Sequence, residues 1–132
     1  MILVDANILM YAAGAAHPHK QPSVRLLERI AAGEVEATID AETLQEILHR
    51  YRAIKRWAEG RAVYDLAREI FPDVIPVTSS VLDRARRLLD GDTTLMARDA
   101  LHAAVVMEEG LRGIYTYDRD FDRIRGIRRL EP

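Results

Sequence analysis

The sequence contains no cysteine. Disulfide bonds, thiolate metal sites and thiol catalysis are excluded together. The absence suits a reducing compartment, and a cytoplasmic protein is the expectation. Charge of one sign is not in excess either. Lys and Arg number 19 against 21 Asp and Glu, a formal net charge of −2. No global basic field marks a nucleic-acid binder, so a polyanion has to be held by a local patch or through bound cations. Long apolar runs are missing. The longest small or apolar stretch, Ile8 to Ala16, falls far short of a membrane span. No basic segment precedes the apolar N-terminal residues, and Asp5 interrupts them, which argues against a secretory signal. There is no Gly/Ser linker, low-complexity tract or internal repeat, and 132 residues suit one domain, 1–132.

What is present has the balance of a soluble globular protein with its own core: 48% hydrophobic and 30% charged residues. Strand and helix signals alternate. Residues 2–4 read as a short buried strand. A helix opens at Asn7, a candidate N-cap, and His17-Pro18 breaks it. PSVRLLERIAAG (22–33) is punctuated as a helix by Pro22 and Gly33, with Val24, Leu27, Ile30 and Ala31 on one face. EVEATID (34–40) predicts a second strand. AETLQEILHRYRAIKRW (41–57) predicts a long amphipathic helix with Leu44, Ile47, Leu48, Tyr51 and Ile54 as its stripe. Another helix covers 59–71, stopped by Pro72. VIPV (74–77) is a third strand whose Pro76 points to an edge. Helices at 79–91 and 97–110, a strand at 113–118 and an edge strand within 127–132 complete the chain. Such alternation predicts an α/β three-layer sandwich around a mainly parallel sheet.

In an open parallel sheet, ligands bind at the carboxyl ends of the strands. Asp5 follows the first strand and Asp118 the fourth, so both reach one edge. Asp5 also reads as the polar cap of a strand or helix. It sits between an apolar run and a buried-looking helix, where a carboxylate needs a partner. No Lys or Arg lies nearby in sequence, and a metal ion is one candidate. Glu46 stands at the margin of its helix's apolar stripe; the spacing alone equally suits a pair with Arg50. Glu42 and Asp99 sit in first helical turns, which the helix dipole favours. His102, on a mostly apolar helix, reads as a packed core residue. It has no second His four residues on, so zinc is left out. Asp118, Asp120 and Asp122 alternate, but the Gly and distal Glu of a calcium loop are missing. Of the three, Asp118 is best placed to act and Asp120 comes second.

VDAN (4–7), LQEIL (44–48), RDALHAA (98–104) and TYDRDFD (116–122), in that order, resemble the PIN domain. More narrowly, the chain resembles VapC-type toxin ribonucleases of toxin–antitoxin pairs. The match runs over essentially the whole chain, and 51–74 is its least diagnostic part. The resemblance implies that Asp5, Glu46, Asp99 and Asp118 are the four acidic site residues. It implies that Asn7 supports them and that Asp120 is an additional carboxylate. It further implies a Mg2+- or Mn2+-dependent endoribonuclease, a homodimer, and a cognate antitoxin that inserts a basic residue into the acid pocket beside Glu46.

The chemistry agrees with that set. A phosphodiester and hydroxide are both anionic and need positive charge between them. No Lys or His is expected in a catalytic position, so metal has to supply it. Mg2+ and Mn2+ prefer oxygen ligands, which clustered carboxylates provide. This assigns metal ligation to Asp5, Asp99 and Asp118 and the attacking water to Glu46. Arg50, Arg52, Lys55 and Arg56, with Tyr51 and Trp57 for stacking, form a candidate RNA track; RIRGIRR (123–129) is a second basic cluster. Singly, such residues are more often solvated charge. A DNA nuclease or a phosphatase could use the same fold, although an aspartyl-nucleophile phosphatase wants Asp where Asn7 stands. An inactive binding or dimerisation module, or a structural domain with Asp5 and Asp99 as caps, are the remaining alternatives.

Overall fold

Leu3 and Val4 explain the uninterrupted apolar start of the chain. They lie in strand β1 (Ile2–Val4), and both are fully buried. Successive strand residues point to opposite faces, so a strand covered on both sides needs no polar alternation. Leu3 packs with Val81, Ala85, Ala100, Val105, Ile114 and Phe121 on one face. Val4 packs with Ile8, Leu9, Leu27, Ile39 and Ile47 on the other.

The computed structural model describes residues 1–132. After β1 come helices α1 (Ala6–Ala13) and α2 (Lys20–Ala31), strand β2 (Ala37–Asp40), and helices α3 (Ala41–Ala53) and α4 (Trp57–Ile70). Strand β3 (Val74–Ile75), helices α5 (Ser79–Gly91) and α6 (Ala97–Glu108), strand β4 (Ile114–Tyr115), a 3-10 turn at Arg119–Arg123 and strand β5 (Arg129–Leu130) follow. The five strands form one sheet in the order β3-β2-β1-β4-β5, and every neighbouring pair is parallel. Residues of α1 to α4 pack on one face and those of α5 and α6 on the other, the expected three layers. β3 is an edge strand, as Pro76 directly after it foretold, and β5 closes the other edge.

Several boundaries differ from the expected ones. α1 begins at Ala6, with Asp5 in the N-cap position, so Asn7 lies inside the helix and does not cap it. α2 begins two residues before Pro22, which occupies the first turn, where a missing N–H costs nothing. Its buried face is Ser23, Leu26, Leu27 and Ile30; Ala31 is exposed. α3 ends at Ala53, leaving Ile54 exposed and Lys55 in a left-handed turn at φ 59°, and Trp57 opens α4. α4 fits closely on α3 because Gly60 has no Cβ; one added there would collide with Tyr51.

Candidate active site

Parallel strands deliver their last residues to one edge of the sheet. β1 ends next to Asp5, β2 ends with Asp40, and β4 is followed by Thr116 and Asp118. A cleft of about 840 Å3 opens over this edge, and Asp5, Glu46, Asp99 and Asp118 line it together with Arg50 and Arg98. The four acidic residues expected from the sequence therefore share one cleft. They form two groups of donor atoms, each group within 4.8 Å of one another: Asp5, Glu46 and His102, and Asp99, Asp118 and Asp120.

Asp5 is only 7% exposed. Its partners come from far along the chain. The Thr116 hydroxyl donates to Asp5 Oδ2 at 2.7 Å, and His102 Nε2 lies 3.9 Å from Oδ1. Burial pushes the Asp5 carboxyl above its usual range, and the opposing pull of His102 and Thr116 does not cancel it. Thr116, wholly buried, is a hub. It accepts from Asn7 Nδ2 and from the Asp118 amide, each at 3.0 Å, while donating to Asp5. Asn7 is thus linked to Asp5 through Thr116. Asp118 accepts the Asp120 amide at 2.9 Å, which fixes its carboxylate at the start of the 3-10 turn. Asp99 sits in the first turn of α6, and its carboxyl is pushed up to about 6 by burial and then by the charges of Asp118 and Asp5.

His102 corrects the sequence reading. It is 1% exposed, as a core residue would be, but it lies inside the acidic site. Its Nδ1 lies 2.6 Å from Asp40 Oδ2, and its Nε2 lies 3.1 Å from Glu46 Oε1. Glu46 consequently takes His102 as partner; Arg50 forms no ion pair. A ring nitrogen that donates to each carboxylate is the arrangement a protonated ring provides. Burial opposes that charge, but the Asp40 carboxylate, the bonds to Asp40 and Glu46, and Asp5 hold the ring well above the usual imidazole range. The surrounding acids thus favour the protonated ring. Asp40 is itself fully buried and caps α3, accepting the Thr43 amide at 3.0 Å. Glu42, in the first turn of α3, also lines the cleft; burial and then the nearby Glu46 raise its carboxyl.

A PIN domain model matches residues 2–127. The chain belongs to the PIN-domain family. Among its relatives are a VapC ribonuclease of Mycobacterium bovis and ribonuclease VapC13 of Mycobacterium tuberculosis. Each is 45% identical over 130 residues, 98% of this chain and 99% of the relative. Ribonuclease VapC23 of Mycobacterium tuberculosis is 33% identical over 118 residues, covering 89% and 93%. The fold is also that of Mycobacterium tuberculosis VapC20, a sarcin-ricin loop cleaving toxin, with a TM-score of 0.76 at 20% identity and full coverage of both chains. A toxin–antitoxin complex from Klebsiella pneumoniae gives 0.69 at 20% identity, again over both full chains.

The donor set of this PIN domain fits a hard divalent cation. Its Asp and Glu oxygens converge without thiolates, and Asn7 Oδ1 is a buried acceptor at the site with no hydrogen-bond partner. Outside the cleft floor, the sequence-predicted cations separate. Arg50 and Arg56 line the cleft. Arg56 also pairs with Glu59 at 2.7 Å, and the Arg52 guanidinium lies 4.5 Å over the Trp57 ring. In the second basic cluster, Arg123 pairs with Asp120 and Arg129 with Asp122 and Glu131, while Arg125 and Arg128 are exposed and form no ion pair. Asp40, His102 and Thr116 are the site residues that sequence reasoning missed. A polar Thr within an apolar strand and a His one turn after Asp99 were the signals available.

Proposed function

We propose that this PIN domain is a metal-dependent endoribonuclease and the toxin of a toxin–antitoxin pair. The observation that carries the reading is the convergence of Asp5, Glu46, Asp99 and Asp118 in one cleft on a PIN fold whose near-full-length relatives are VapC ribonucleases. Asp5, Asp99 and Asp118 would hold Mg2+ or Mn2+, which when bound lowers the pKa of its water and screens charge developing on phosphate. Glu46 orients the attacking water and takes its proton. His102, anchored by Asp40, keeps the Glu46 carboxylate turned toward the cleft. Thr116 and Asn7 hold Asp5 and the start of the Asp118 turn in register. Arg50 and Arg56 on the cleft wall meet the substrate's phosphates, with Arg52 and Lys55 as the outer part of the same track.

The antitoxin reading has its own surface. An exposed apolar groove on α3 and the start of α4, lined by Leu48, Ala53 and Trp57 with Arg52, adjoins the cleft through Gln45 and His49. An amphipathic segment seated there reaches the acids beside Glu46 with a basic side chain. Homodimerisation, with Leu82 and Met96 as exposed apolar residues on the α5–α6 side, is part of the same proposal, and sedimentation of the purified chain tests it.

The activity is tested by incubating the protein with Mg2+ and single-stranded RNA or DNA of the same sequence. The reading expects endonucleolytic cuts in RNA alone. Cleavage of DNA at equal rate makes the protein a general nuclease, and cleavage of neither leaves the binding-module alternative.

A further inference from the structure

Four aromatic rings gather at the side of the cleft formed by α1 and the end of β4. Tyr11 lines the cleft itself, and Tyr117 is the residue immediately before Asp118. The His19 ring stacks on Tyr117 with centroids 3.6 Å apart and planes at 10°. Tyr11 meets Tyr117 edge-on at 5.5 Å and His19 edge-on at 5.0 Å. His17 adds a fourth ring, 4.7 Å from Tyr11 and 4.8 Å from His19. None of these rings is fully buried, and His17 is exposed. Tyr117 packs against the core on one side, and every ring of the group carries a polar edge.

The loop holding the two histidines is fixed. The His19 backbone N–H donates to His17 Nδ1 at 3.0 Å, so a neutral His17 ring carries its proton on Nε2 and offers a donor there. The Lys20 ammonium donates to the Gly14 carbonyl at 2.5 Å, and Gly14 also lines the cleft. The cleft thus has acids on its floor, Arg50, Arg56 and Arg98 along its walls, and Tyr11 on its α1 wall. His19 and Tyr117 pack against Tyr11 from behind, with Lys20 next to His19 in the chain. Stacked aromatics next to positive charge are the chemistry by which single-stranded nucleic acid is held without reading its sequence.

We propose that Tyr11, His17, His19 and Tyr117 form a nucleobase-stacking subsite for a nucleotide adjacent to the phosphate cleaved at the acidic floor. The proposal rests on the ribonuclease reading and deepens it. The rings' attachment to the Asp118 strand end couples the position of a stacked base to the position of the reacting phosphate. Stacking of one base on an aromatic surface accounts for roughly a 5- to 150-fold change in affinity.

The test uses the full chain with Asp5→Asn to prevent cleavage. Two fluorescent probes of equal length are compared by anisotropy in Mg2+: a mixed-sequence single-stranded RNA and an abasic ribose-phosphate oligomer. The parent is expected to bind the RNA at least tenfold more tightly than the abasic probe. His19→Ala should remove most of that difference and leave abasic binding unchanged, while His19→Phe, which retains a stacking ring, keeps it. Should His19→Ala fail to fold by circular dichroism, His17→Ala, at an exposed position, is read in its place with a smaller loss. Equal losses for both probes would assign the rings to phosphate attraction or loop structure and overturn the stacking subsite. So would wild-type affinity in both variants. A parent that cuts RNA before the Asp5→Asn change yet shows no RNA preference over the abasic probe refutes the subsite alone. A chain that neither cuts nor binds RNA refutes the ribonuclease reading together with it.

Discussion

His102 and Asp40 meet at 2.6 Å with both side chains sealed from solvent. The pair ties α6 to the junction of β2 and α3, and its far nitrogen reaches Glu46. Removing one partner of a buried ion pair leaves the other uncompensated, at a cost of about 3–5 kcal/mol. Asp40→Ala also deletes the cap on the Thr43 amide. We expect Asp40→Ala to lose at least that much stability in urea unfolding, and Asp40→Asn, which keeps a cap acceptor, to lose less. Both variants should slow RNA cleavage, by about a hundredfold if Glu46 drifts by an ångström. Unfolding of Asp40→Ala at the wild-type urea midpoint would contradict the anchoring role.

Asp99 predicts a pH dependence. Its folded carboxyl titrates at about 6 against an ordinary value of 3.8. Between those values the folded protein holds a proton that the unfolded chain has released. Stability from this group therefore falls as pH rises through roughly 4 to 6. His102 acts in the same direction at higher pH. Its ring is raised, so its contribution is complete below the ordinary imidazole value of 6.5 and is lost as pH climbs through the folded value. Measured without metal, the stability advantage of Asp99→Asn over wild type should grow from pH 4 to pH 6 and then level off. A difference that stays flat across this window would show that Asp99 titrates normally.

Divalent cations should relieve the same repulsion. A ligand at a hundred times its Kd stabilises by about 2.7 kcal/mol, so Mg2+ or Mn2+ should raise the Tm by several degrees. Asp99→Asn, Asp118→Asn and Asp5→Asn should each lose most of that gain. Without metal, Asp5→Asn should melt no lower than wild type, because an amide oxygen still accepts from Thr116 while the disfavoured buried charge is gone. Melting several degrees lower without metal would make Asp5 a structural residue.

Gly60 separates packing from propensity. Ala is favoured over Gly in a helix by about 1 kcal/mol, yet a Cβ here runs into Tyr51 on α3. Overpacking of this kind costs about 1–3 kcal/mol. Gly60→Ala is therefore expected to be destabilised by up to about 2 kcal/mol in urea unfolding. A stabilised variant would show that the α3–α4 contact yields.

Much of this architecture is local and was legible. The MILV run, Pro76, and the Gly and Pro around the helices report on strands and helix ends through backbone rules that act within a few residues. The placement of Asp5 and Asp118 at one edge follows once the strands are parallel. What stayed hidden depends on long-range pairing. Asp40 looks like an ordinary strand-ending Asp until His102, 62 positions later, is packed against it. Thr116 looks like a strand Thr until its hydroxyl donates to Asp5, 111 positions earlier. His102 was rightly expected to be buried, but it is buried among acids and bridges two of them. The helix ends near Asn7, Ala53 and Trp57 lie one to a few residues from the expected ones, and no side-chain cap marks any of them; the left-handed turn at Lys55 is what separates α3 from α4.

The most direct measurement is the cleavage rate of a mixed RNA substrate by chelator-stripped protein, before and after adding Mg2+ or Mn2+, for wild type and for Asp5→Asn/Asp99→Asn. The account predicts cuts that appear only with metal and disappear in the folded double variant. Cleavage that persists in chelator, or that survives loss of both carboxylates, would contradict it.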